Sequence, residues 1–547
     1  MSHWIIAPLI LPAMMAAILV LAMRYHPMLQ RVFSLASCIA LVAVAAGLVW
    51  QTADGTILLY QLGDWAAPFG IVLVADRLST LFVLLASLLS VPVLLYAIGS
   101  GWDMRGRHFH PLFQFQMMGI LGAFLTGDAF NLFVFFEVLL IASYGLMIHS
   151  GGAQRFRVGV QYVVFNLLGS TLFLFALGTI YAETGTLNIA DLAARVASAS
   201  AEGSAGIRVA AVLLLMVFAV KAALLPLHFW LPAAYSTAPG PVAALFAIMT
   251  KIGAYAIIRF YTIVFPPDLE ITQGLFDTWL LPAALLSLAI GMLGVLGAKR
   301  LDRLVAFAVV GSMGMLLSAV SVFTPEGIAA ALFYAIHSTL ATAALFLLVD
   351  VVRERRAGQS LGFYPAPPIA GGALVAGLFF AAAIAMAGLP PLSGFLGKLM
   401  ILDAAWEDPR AAWVWAVVLC SSLVAVVGFS RAGSVVFWKA HAAGHMPDAE
   451  EKVSEPHERP AEPGQPALPM VAIGLLIAAI VAVTVFAGPL QRHLAATAAQ
   501  LFAPEPYIST VLDTPGKQIT YDGKHGKDEG HGDAKDAGHD AEKEEAH

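Results

Sequence analysis

Apolar runs of about twenty residues, separated by short polar stretches, recur along most of the chain. A run of that length crosses the hydrocarbon core of a bilayer as an α-helix. The pattern therefore predicts an all-α polytopic membrane protein with about fourteen transmembrane helices. The predicted spans are residues 4–22, 31–50, 76–98, 111–127, 129–148, 158–181, 207–227, 240–262, 278–298, 303–323, 327–349, 371–389, 411–438 and 468–487.

Composition supports this class of protein. Of the 547 residues, 59% are hydrophobic and only 12% are charged, whereas soluble proteins carry about 25% charged residues. No Lys or Arg precedes the first apolar run, so we expect a membrane helix there and not a cleaved signal peptide. Cys38 and Cys420 lie in separate apolar runs, which excludes a disulfide framework or a CxxC metal pair.

Basic residues occupy alternate loops between the predicted spans, and the intervening loops are acidic or nearly free of base. By the positive-inside rule the basic loops are cytoplasmic, which places both termini in the periplasm of a bacterial inner membrane. The basic loops contain Arg24 and Arg31; Arg105 and Arg107; Arg155 and Arg157; Lys299, Arg300 and Arg303; Arg353, Arg355 and Arg356; and Arg431 and Lys439.

Prolines interrupt two of the predicted helices, the seventh and the twelfth. Pro226 follows Lys221 in one, and the segment GLPPLSGFLGK, which ends at Lys398, interrupts the other. A proline removes a backbone hydrogen bond, and in a bilayer the freed groups must face protein or a water-filled cavity. The two interruptions lie five predicted spans apart, so the broken helices run in opposite directions. This arrangement indicates inverted repeats, with the transport site at the breaks.

The resulting organisation has six parts. Two soluble stretches, the Pro- and charge-rich linker and the polar tail, have compositions unsuited to a packed core. The tail histidines are too widely spaced for a preformed metal site; weak metal or proton buffering is the alternative. The parts are an N-terminal three-helix segment (1–110), a first repeat of helices 4–8 (111–262), a second repeat of helices 9–13 (278–438), a cytoplasmic linker (440–467), helix 14 (468–487) and a polar, His-rich tail (488–547).

Ionisable residues inside the apolar runs are the candidate functional residues. Glu137 lies nine residues after Asp128, hence near mid-bilayer at about 1.5 Å per residue. A carboxylate at that depth needs a cation, and Lys221 is the best candidate. Lys251 has about eleven apolar or small residues on each side, too many for its ammonium to reach an interface.

His337 and Lys398 complete this set. Imidazole titrates close to neutral pH, so His337 suits a proton relay, although a buried histidine can also be purely structural. Lys398 lies beside the second interruption, between small residues. Three further ionisable residues lie at predicted helix ends and are more simply structural: Asp76, Asp128 and His228.

No motif for enzymatic chemistry is present. The sequence has no dinucleotide-binding fingerprint, no P-loop and no cluster of metal ligands. We therefore predict no cofactor, no nucleic acid and no enzymatic activity of the chain's own. A row of one Glu, three Lys and one His at membrane depth indicates ion transport.

Four segments together resemble a known family: NLFVFFEVLLIASYGL, VKAALLPLHFWLPAAYSTAPGPVAALFAIMTKIGAYAIIRF, YAIHSTLATAALFLL and GLPPLSGFLGK. Their order and spacing are similar to the antiporter-like subunits shared by respiratory complex I and the Mrp-type cation/proton antiporters. Within that family the chain is most similar to D-type subunits of the Mrp (also Mnh or Pha) multisubunit antiporters.

The resemblance implies two inverted five-helix repeats, with broken seventh and twelfth helices. It implies that Glu137 pairs with Lys221 in a first half-channel, that Lys251 connects this half to His337, and that Lys398 lies in the second half. Many relatives have a lysine five residues after the histidine, where this chain has Thr342. The connection between the halves then depends on His337, Thr342, serines and water.

Three functions are compatible with these observations. The resemblance favours a proton-conducting subunit of a Na⁺(K⁺)/H⁺ antiporter, assembled with other membrane subunits that include an A-type and a small C-type subunit. The alternative is a proton-pumping subunit of a complex I or membrane hydrogenase type of redox complex. A non-conducting scaffold fits poorly, because five buried ionisable groups would cost on the order of 10 kcal/mol. No carboxylate cluster selects a cation, so Na⁺ and K⁺ both stay open.

Overall fold

The computed structural model describes residues 3–200, 203–356, 361–364, 369–439 and 467–517. The described chain is almost entirely helical, with one two-stranded antiparallel hairpin. The helices are α1 (Ala7–Leu21), α2 (Pro27–Thr52), α3 (Arg77–Gly99), α4 (Phe109–Leu125), α5 (Ala129–Met147), α6 (Ala153–Thr184), α7 (Ile189–Ser198), α8 (Ala205–Lys221), α9 (Trp230–Thr237), α10 (Gly240–Ile263), α11 (Leu275–Gly297), α12 (Leu301–Val320), α13 (Pro325–Arg355), α14 (Gly372–Ala387), α15 (Ser393–Ala404), α16 (Ala411–Gly433), α17 (Ala467–Val485), α18 (Ala487–Leu501) and α19 (Glu505–Leu512).

Each of the fourteen predicted spans coincides with one of these helices. Ten helices in the described ranges are long and apolar enough to cross a membrane, and α1 and α14 are shorter apolar helices. The chain is a multi-pass membrane protein. The count of fourteen crossings, the inverted repeats and the six-part division stay predictions.

Local sequence explains where several helices begin. Asp128 caps α5, its carboxylate accepting a hydrogen bond from the Asn131 backbone N–H at 2.7 Å. Thr324 caps α13 in the same way, and Pro325 follows at the first helical position, where its missing N–H costs nothing. The divisions between α4 and α5 and between α12 and α13 therefore fall where the sequence predicts them.

Two helices form the centre of the bundle. Every residue of α10 is buried, and α13 is buried from Gly327 to Val352. These two helices pack against each other, and α12 packs against both. Peripheral helices instead expose apolar stripes: on α6, Val160, Val164 and Leu168 lie one turn apart and are each more than half exposed. Such a stripe fits contact with lipid, whereas the centre is isolated from it.

The predicted polar tail begins too early. Two further helices, α18 and α19, follow α17, and Leu494, Ala498 and Leu501 form a buried stripe on α18. This stripe packs on α13, and α19 packs on α7. The spacing of these apolar side chains, three and four residues apart, explains why the segment folds onto the bundle. The rest of the tail (518–547), with its histidines, and the linker 440–466 lie outside the described residues.

A hairpin lies at the same end of the bundle as α18. Strand β1 (Leu58–Gln61) pairs with β2 (Val72–Ala75), and Leu58 lies opposite Ala75. The chain returns to this hairpin near its end, since the Lys517 backbone N–H donates to the Asp64 carbonyl at 2.7 Å. The N-terminal and C-terminal segments thus close one end of the bundle together.

Candidate functional site

Residues 222–229 form the first break, which separates α8 from α9. The predicted span 207–227 is therefore too long, because α8 ends at Lys221, five residues before Pro226. Side chains satisfy the freed backbone groups: the Trp230 indole N–H donates to the Val220 carbonyl at 3.0 Å. The Leu225 N–H donates to the Ser287 hydroxyl at 2.7 Å. Protein contacts thus stabilise the break at membrane depth, as the bilayer requires.

Lys221 and Glu137 belong to one polar cluster without touching. The Lys221 ammonium donates to Asn166 Oδ1 at 3.4 Å, and the Ser170 hydroxyl donates to Glu137 Oε1. Asn166 and Ser170 lie one turn apart on α6. In the described part of the chain no ion pair within 4.0 Å joins the two charges, although the Glu137 charge does act on the lysine. The direct pair that the resemblance implies is replaced by two neutral side chains.

A close helix contact connects the first break to α10. A Cβ at Gly253 would lie 2.6 Å from the Ala222 nitrogen and 2.8 Å from the Phe218 carbonyl oxygen. Only glycine allows this approach, because real Cβ atoms do not come so near. Lys251 lies two residues before Gly253, so the contact holds Lys251 at the level of the α8 terminus.

Lys251 lies wholly inside the protein, with no exposed surface. Its ammonium has no hydrogen-bond partner among the described residues, and the same holds for three polar atoms on α10 and α13: Thr250 Oγ1, Tyr334 Oη and Thr342 Oγ1. Buried polar groups are almost always hydrogen-bonded to protein or to ordered water. We therefore expect water to hydrate this interface between α10 and α13.

His337 connects this interface to the second break, residues 388–392 between α14 and α15. Its Nδ1 lies 2.9 Å from the Ser393 hydroxyl, and a Cβ at Gly394 would lie 2.8 Å from its Nε2. The helix that carries His337, α13, packs against α10, which carries Lys251, and against α15, which carries Lys398. His337 thus lies on the helix between the two lysine-bearing helices.

Lys398 reaches back from α15 across the second break. Its ammonium donates to the Ala387 carbonyl at 2.6 Å and to the Ser422 hydroxyl at 2.8 Å. Ala387 is the last residue of α14, so the ammonium caps that helix terminus. Gly388 adopts φ +74°, and a Cβ there would lie 2.6 Å from Lys398 Cδ and Cε. Glycine is required twice over, for its backbone angle and for its missing side chain.

The two breaks therefore place a lysine at equivalent positions. Lys221 precedes its break in sequence and Lys398 follows its break, yet Lys221 is the last residue of α8 and the Lys398 ammonium lies at the last carbonyl of α14. The partial negative charge of a helix C-terminus stabilises a cation there, typically by about 0.3–1 kcal/mol at exposed sites and up to about 2 kcal/mol when partly buried. Both lysines thus lie at a half-helix terminus, although the groups that contact the two ammonium ions differ.

Asp76, Asp128 and His228 lie away from this line. Asp76 caps α3 and also accepts two hydrogen bonds from Arg259, at 2.5 and 2.8 Å. His228 lies within the first break, with its ring against Phe229. These positions agree with their prediction as helix-end residues.

Sequence reasoning missed the neutral residues that position the lysines: Asn166, Ser170, Gly253, Gly388 and Ser422. A signal was present for two of them, because Asn166 and Ser170 are polar, four residues apart and inside an apolar span. The glycines had no distinguishing signal, since the sequence contains 48 of them. Within the described ranges, no group of three or more His, Cys, Asp or Glu residues could hold a metal ion.

A helical membrane bundle with two broken helices, each with a lysine at the broken terminus, and buried charges between them defines an ion-translocating membrane protein. The family model described as "NADH:quinone oxidoreductase/Mrp antiporter, TM" matches residues 126–426. The chain belongs to this family.

Relatives and solved structures agree with that assignment. The chain is 36% identical to the D subunit of a probable K(+)/H(+) antiporter from Rhizobium meliloti (strain 1021), covering 94% of this chain and 98% of the relative. It is also 36% identical to the D subunit of a Na(+)/H(+) antiporter from Bacillus subtilis (strain 168), covering 94% and 100%. Its fold matches a chain of the Mrp complex from Dietzia sp. DQ12-45-1b with a TM-score of 0.80, 29% identity and coverage of 94% and 100%.

Proposed function

We propose that the chain is the proton-conducting, D-type subunit of a multisubunit monovalent cation/proton antiporter in a bacterial cell membrane. One observation carries the proposal: Lys251 and His337 lie fully buried on the two central helices, which pack against the helices of the two breaks, and the Lys251 ammonium has no hydrogen-bond partner in the described structure. A charge without a partner at this depth costs several kcal/mol, about 2.5–3.5 kcal/mol on insertion scales, so a structural role would not favour it.

The proton route begins at Glu137. Protonation removes the negative charge that stabilises the Lys221 ammonium across Asn166 and Ser170, so Lys221 releases its proton more readily. Gly253 fixes α10 against the α8 terminus, Lys251 lies two residues earlier on α10, and water connects the two lysines. The charge on Lys251 then acts on His337, which exchanges protons across the hydrated α10–α13 interface.

Lys398 is the last group on this route. A positive charge on His337 repels the Lys398 ammonium, which its capping contacts with Ala387 and Ser422 otherwise retain. Thr342 contributes a hydroxyl in place of a fixed charge, so the connection between the halves relies on water and on His337. Return movement of Na⁺ or K⁺ through the assembly resets the charges.

Partners follow from the relatives. Both relatives described above are named as the D subunits of antiporters, so we propose that this chain assembles with other membrane subunits, including an A-type and a small C-type subunit. The positive-inside pattern supports a topology with both termini in the periplasm.

Transport in everted membrane vesicles tests the proposal. A pH-sensitive dye reports the collapse of a preformed proton gradient when Na⁺ or K⁺ is added. Glu137→Gln and Lys398→Gln should each reduce the response by roughly tenfold or more, because each removes one charge from a coupled series. Glu326→Gln and Lys439→Gln are matched controls at exposed positions and should retain activity.

Assembly must be measured alongside activity, by recovering the partner subunits with an affinity-tagged chain. Full activity of either axis variant in a normally assembled complex contradicts the proposed route. The same purification tests the redox alternative, since the family description also covers NADH:quinone oxidoreductase subunits. Iron–sulfur subunits in the purified assembly would favour that alternative.

A further inference from the structure

A large cavity opens at the end of the bundle where the basic loops gather, and none of the five residues of the proposed proton route lines it. Its volume is about 1120 Å³, larger than the roughly 300–1,000 Å³ of typical small-molecule pockets. The ends of α6, α11, α12, α13 and α16 meet around it. We call it the basic cavity; its six cationic lining residues are Arg155, Lys299, Arg300, Arg303, Arg353 and Arg431.

The charge balance of the basic cavity favours an anion. Asp302 is the one acidic residue among the described residues that line it. Its carboxylate is already occupied, by the Arg300 guanidinium at 2.8 Å and by Arg353 at 3.6 Å. A lining of six cations and one engaged acid leaves the cavity strongly positive, and low-dielectric walls focus such a field.

Hydrogen bonds hold several of these cations in place around the mouth. The Arg431 guanidinium donates to the Ala298 carbonyl at 2.7 Å, and Arg155 donates to the Thr237 carbonyl at 3.2 Å. Lys299 and Arg303 extend outward with exposed side chains. The site thus combines guanidinium groups held by hydrogen bonds with two exposed cationic side chains that can change conformation around a ligand. This arrangement suits phosphate oxygens.

Apolar side chains line the wall beside these charges. Val158 comes from α6, Phe307 from α12, and Val435 from the π-helical turn Ser434–Trp438 that ends the α16 segment. A ligand that satisfies both surfaces has an anionic phosphate group next to a hydrocarbon portion. Basic pockets between transmembrane helices at the membrane surface recognise the headgroups of acidic phospholipids in this way.

We propose that the basic cavity binds the phosphate headgroup of an anionic phospholipid. The chemistry that recognises it is the ring of guanidinium and ammonium groups, and the apolar wall favours a lipid over free phosphate. The five residues of the proton route do not line this site, and the proposal does not depend on the proposed function.

Native mass spectrometry of the detergent-purified assembly, containing the full chain, tests the site. The probes are phosphatidylglycerol and phosphatidylcholine with identical acyl chains. Wild type should retain phosphatidylglycerol in preference to phosphatidylcholine. Lys299→Gln with Arg303→Gln should weaken phosphatidylglycerol binding by about 25-fold, since each basic residue near the surface contributes about fivefold.

A matched pair, Arg157→Gln with Lys439→Gln, removes the same charge from exposed positions at this end of the bundle, outside the basic cavity. It should leave binding within about twofold of wild type. The proposal is overturned if both double variants lose the same amount of phosphatidylglycerol binding. It is also overturned if wild type retains the two lipids equally. Arg303→Lys keeps the charge and should retain binding, which separates loss of charge from loss of fold.

Inorganic phosphate at millimolar concentration distinguishes the source of the phosphate group. Continued retention of phosphatidylglycerol supports a lipid site, because the acyl chains add affinity that free phosphate lacks. Displacement of the lipid by phosphate alone assigns the cavity to a free anion and overturns the lipid assignment.

Discussion

The two helix breaks hold their lysines differently. At the first break Lys221 is the last residue of α8 and belongs to a polar cluster with Glu137. At the second break Lys398 reaches back from α15 to the last carbonyl of α14. Lys398 makes two short hydrogen bonds to neutral acceptors, and Lys221 makes one long one, 3.4 Å to Asn166. The first half therefore stabilises its cation through a nearby acid, and the second half through a helix terminus and a serine.

This difference has a consequence for transport. In the proposed route, protonation of Glu137 changes the electrostatic environment of Lys221, whereas the hydrogen-bond partners of Lys398 are both neutral. A cation held by fixed neutral dipoles changes state only when another cation approaches it. The first half is thus suited to respond to proton arrival, and the second half to respond to the state of the centre.

The largest effects are expected from the glycines that close the two breaks. A Cβ at Gly394 would lie 1.9 Å from the Ala385 carbonyl oxygen, a backbone atom that has little room to move. Gly394→Ala should therefore lose most of its folded, monodisperse protein, and Gly253→Ala, with contacts at 2.6 Å or more, should lose less. Overpacking costs about 1–3 kcal/mol, occasionally more. Fluorescence-detected size exclusion measures the folded fraction.

Gly377→Ala is the control for those variants, because nothing lies within 4 Å of a Cβ at that position on α14. It should be neutral or slightly stabilising, since Ala is the better helix former by about 1 kcal/mol. Normal folding of Gly394→Ala would show that the second break is looser than the structure indicates.

Removal of each lysine distinguishes the two halves next. Lys221→Met leaves Glu137 without its nearby cation, so adding Glu137→Gln should recover part of the lost stability. A coupling free energy of about 0.5–3 kcal/mol in thermal unfolding is expected for such neighbours. Lys398→Met leaves the Ala387 carbonyl without its donor, and adding Glu137→Gln should recover nothing. Equal recovery in both cases would show that the halves are not electrostatically distinct.

Thr342 tests the connection between the halves. Its hydroxyl has no hydrogen-bond partner in the described structure, so Thr342→Val, of similar shape, should change stability by less than about 1 kcal/mol. If the hydroxyl helps to order water beside His337, antiport should fall several-fold while the melting temperature holds. Leu345→Val, on the same buried helix, is the control for altered packing. Unchanged antiport in Thr342→Val would place the connection elsewhere.

The smallest effect concerns a reference site outside both halves, in the 3₁₀ turn Trp102–Met104. Burial alone would raise the pKa of Asp103, but hydrogen bonds and charge from His110 and Arg31 lower it below the ordinary carboxyl value. A lowered pKa stabilises the fold above the ordinary carboxyl range, and this stability disappears as the pH falls through the folded-state pKa. The melting temperature of wild type should therefore decrease on acidification.

Asp103→Asn should show a smaller dependence of melting temperature on pH than wild type, and Asp268→Asn, at an exposed position, should behave like wild type. If the melting temperature of Asp103→Asn decreased on acidification as much as that of wild type, the acid sensitivity would belong to other carboxylates. Because Asp103 lies apart from both breaks, its effect on stability should leave the coupling between Glu137 and Lys221 unchanged.

Sequence by itself determined the class of protein, the positions of its long apolar helices and the ionisable residues that lie inside them. Apolar runs long enough to cross a bilayer are a local property, and so are prolines that interrupt them and an Asp128 that caps α5. Glu137, Lys221, Lys251, His337 and Lys398 stand out for the same reason, since a charge inside an apolar run needs no structure to be noticed. The amphipathic helix α18 was missed because its polar face resembled a solvated tail.

Tertiary structure alone decided which groups meet. Asn166 and Ser170 between Glu137 and Lys221, the approach of α10 to α8 at Gly253, and the return of Lys398 to Ala387 all join residues from different helices. Such contacts depend on how helices rotate and pack, and the hydrophobic pattern of one helix does not specify its neighbour's register. The equivalence of Lys221 and Lys398 at two helix termini is visible only once the breaks are folded.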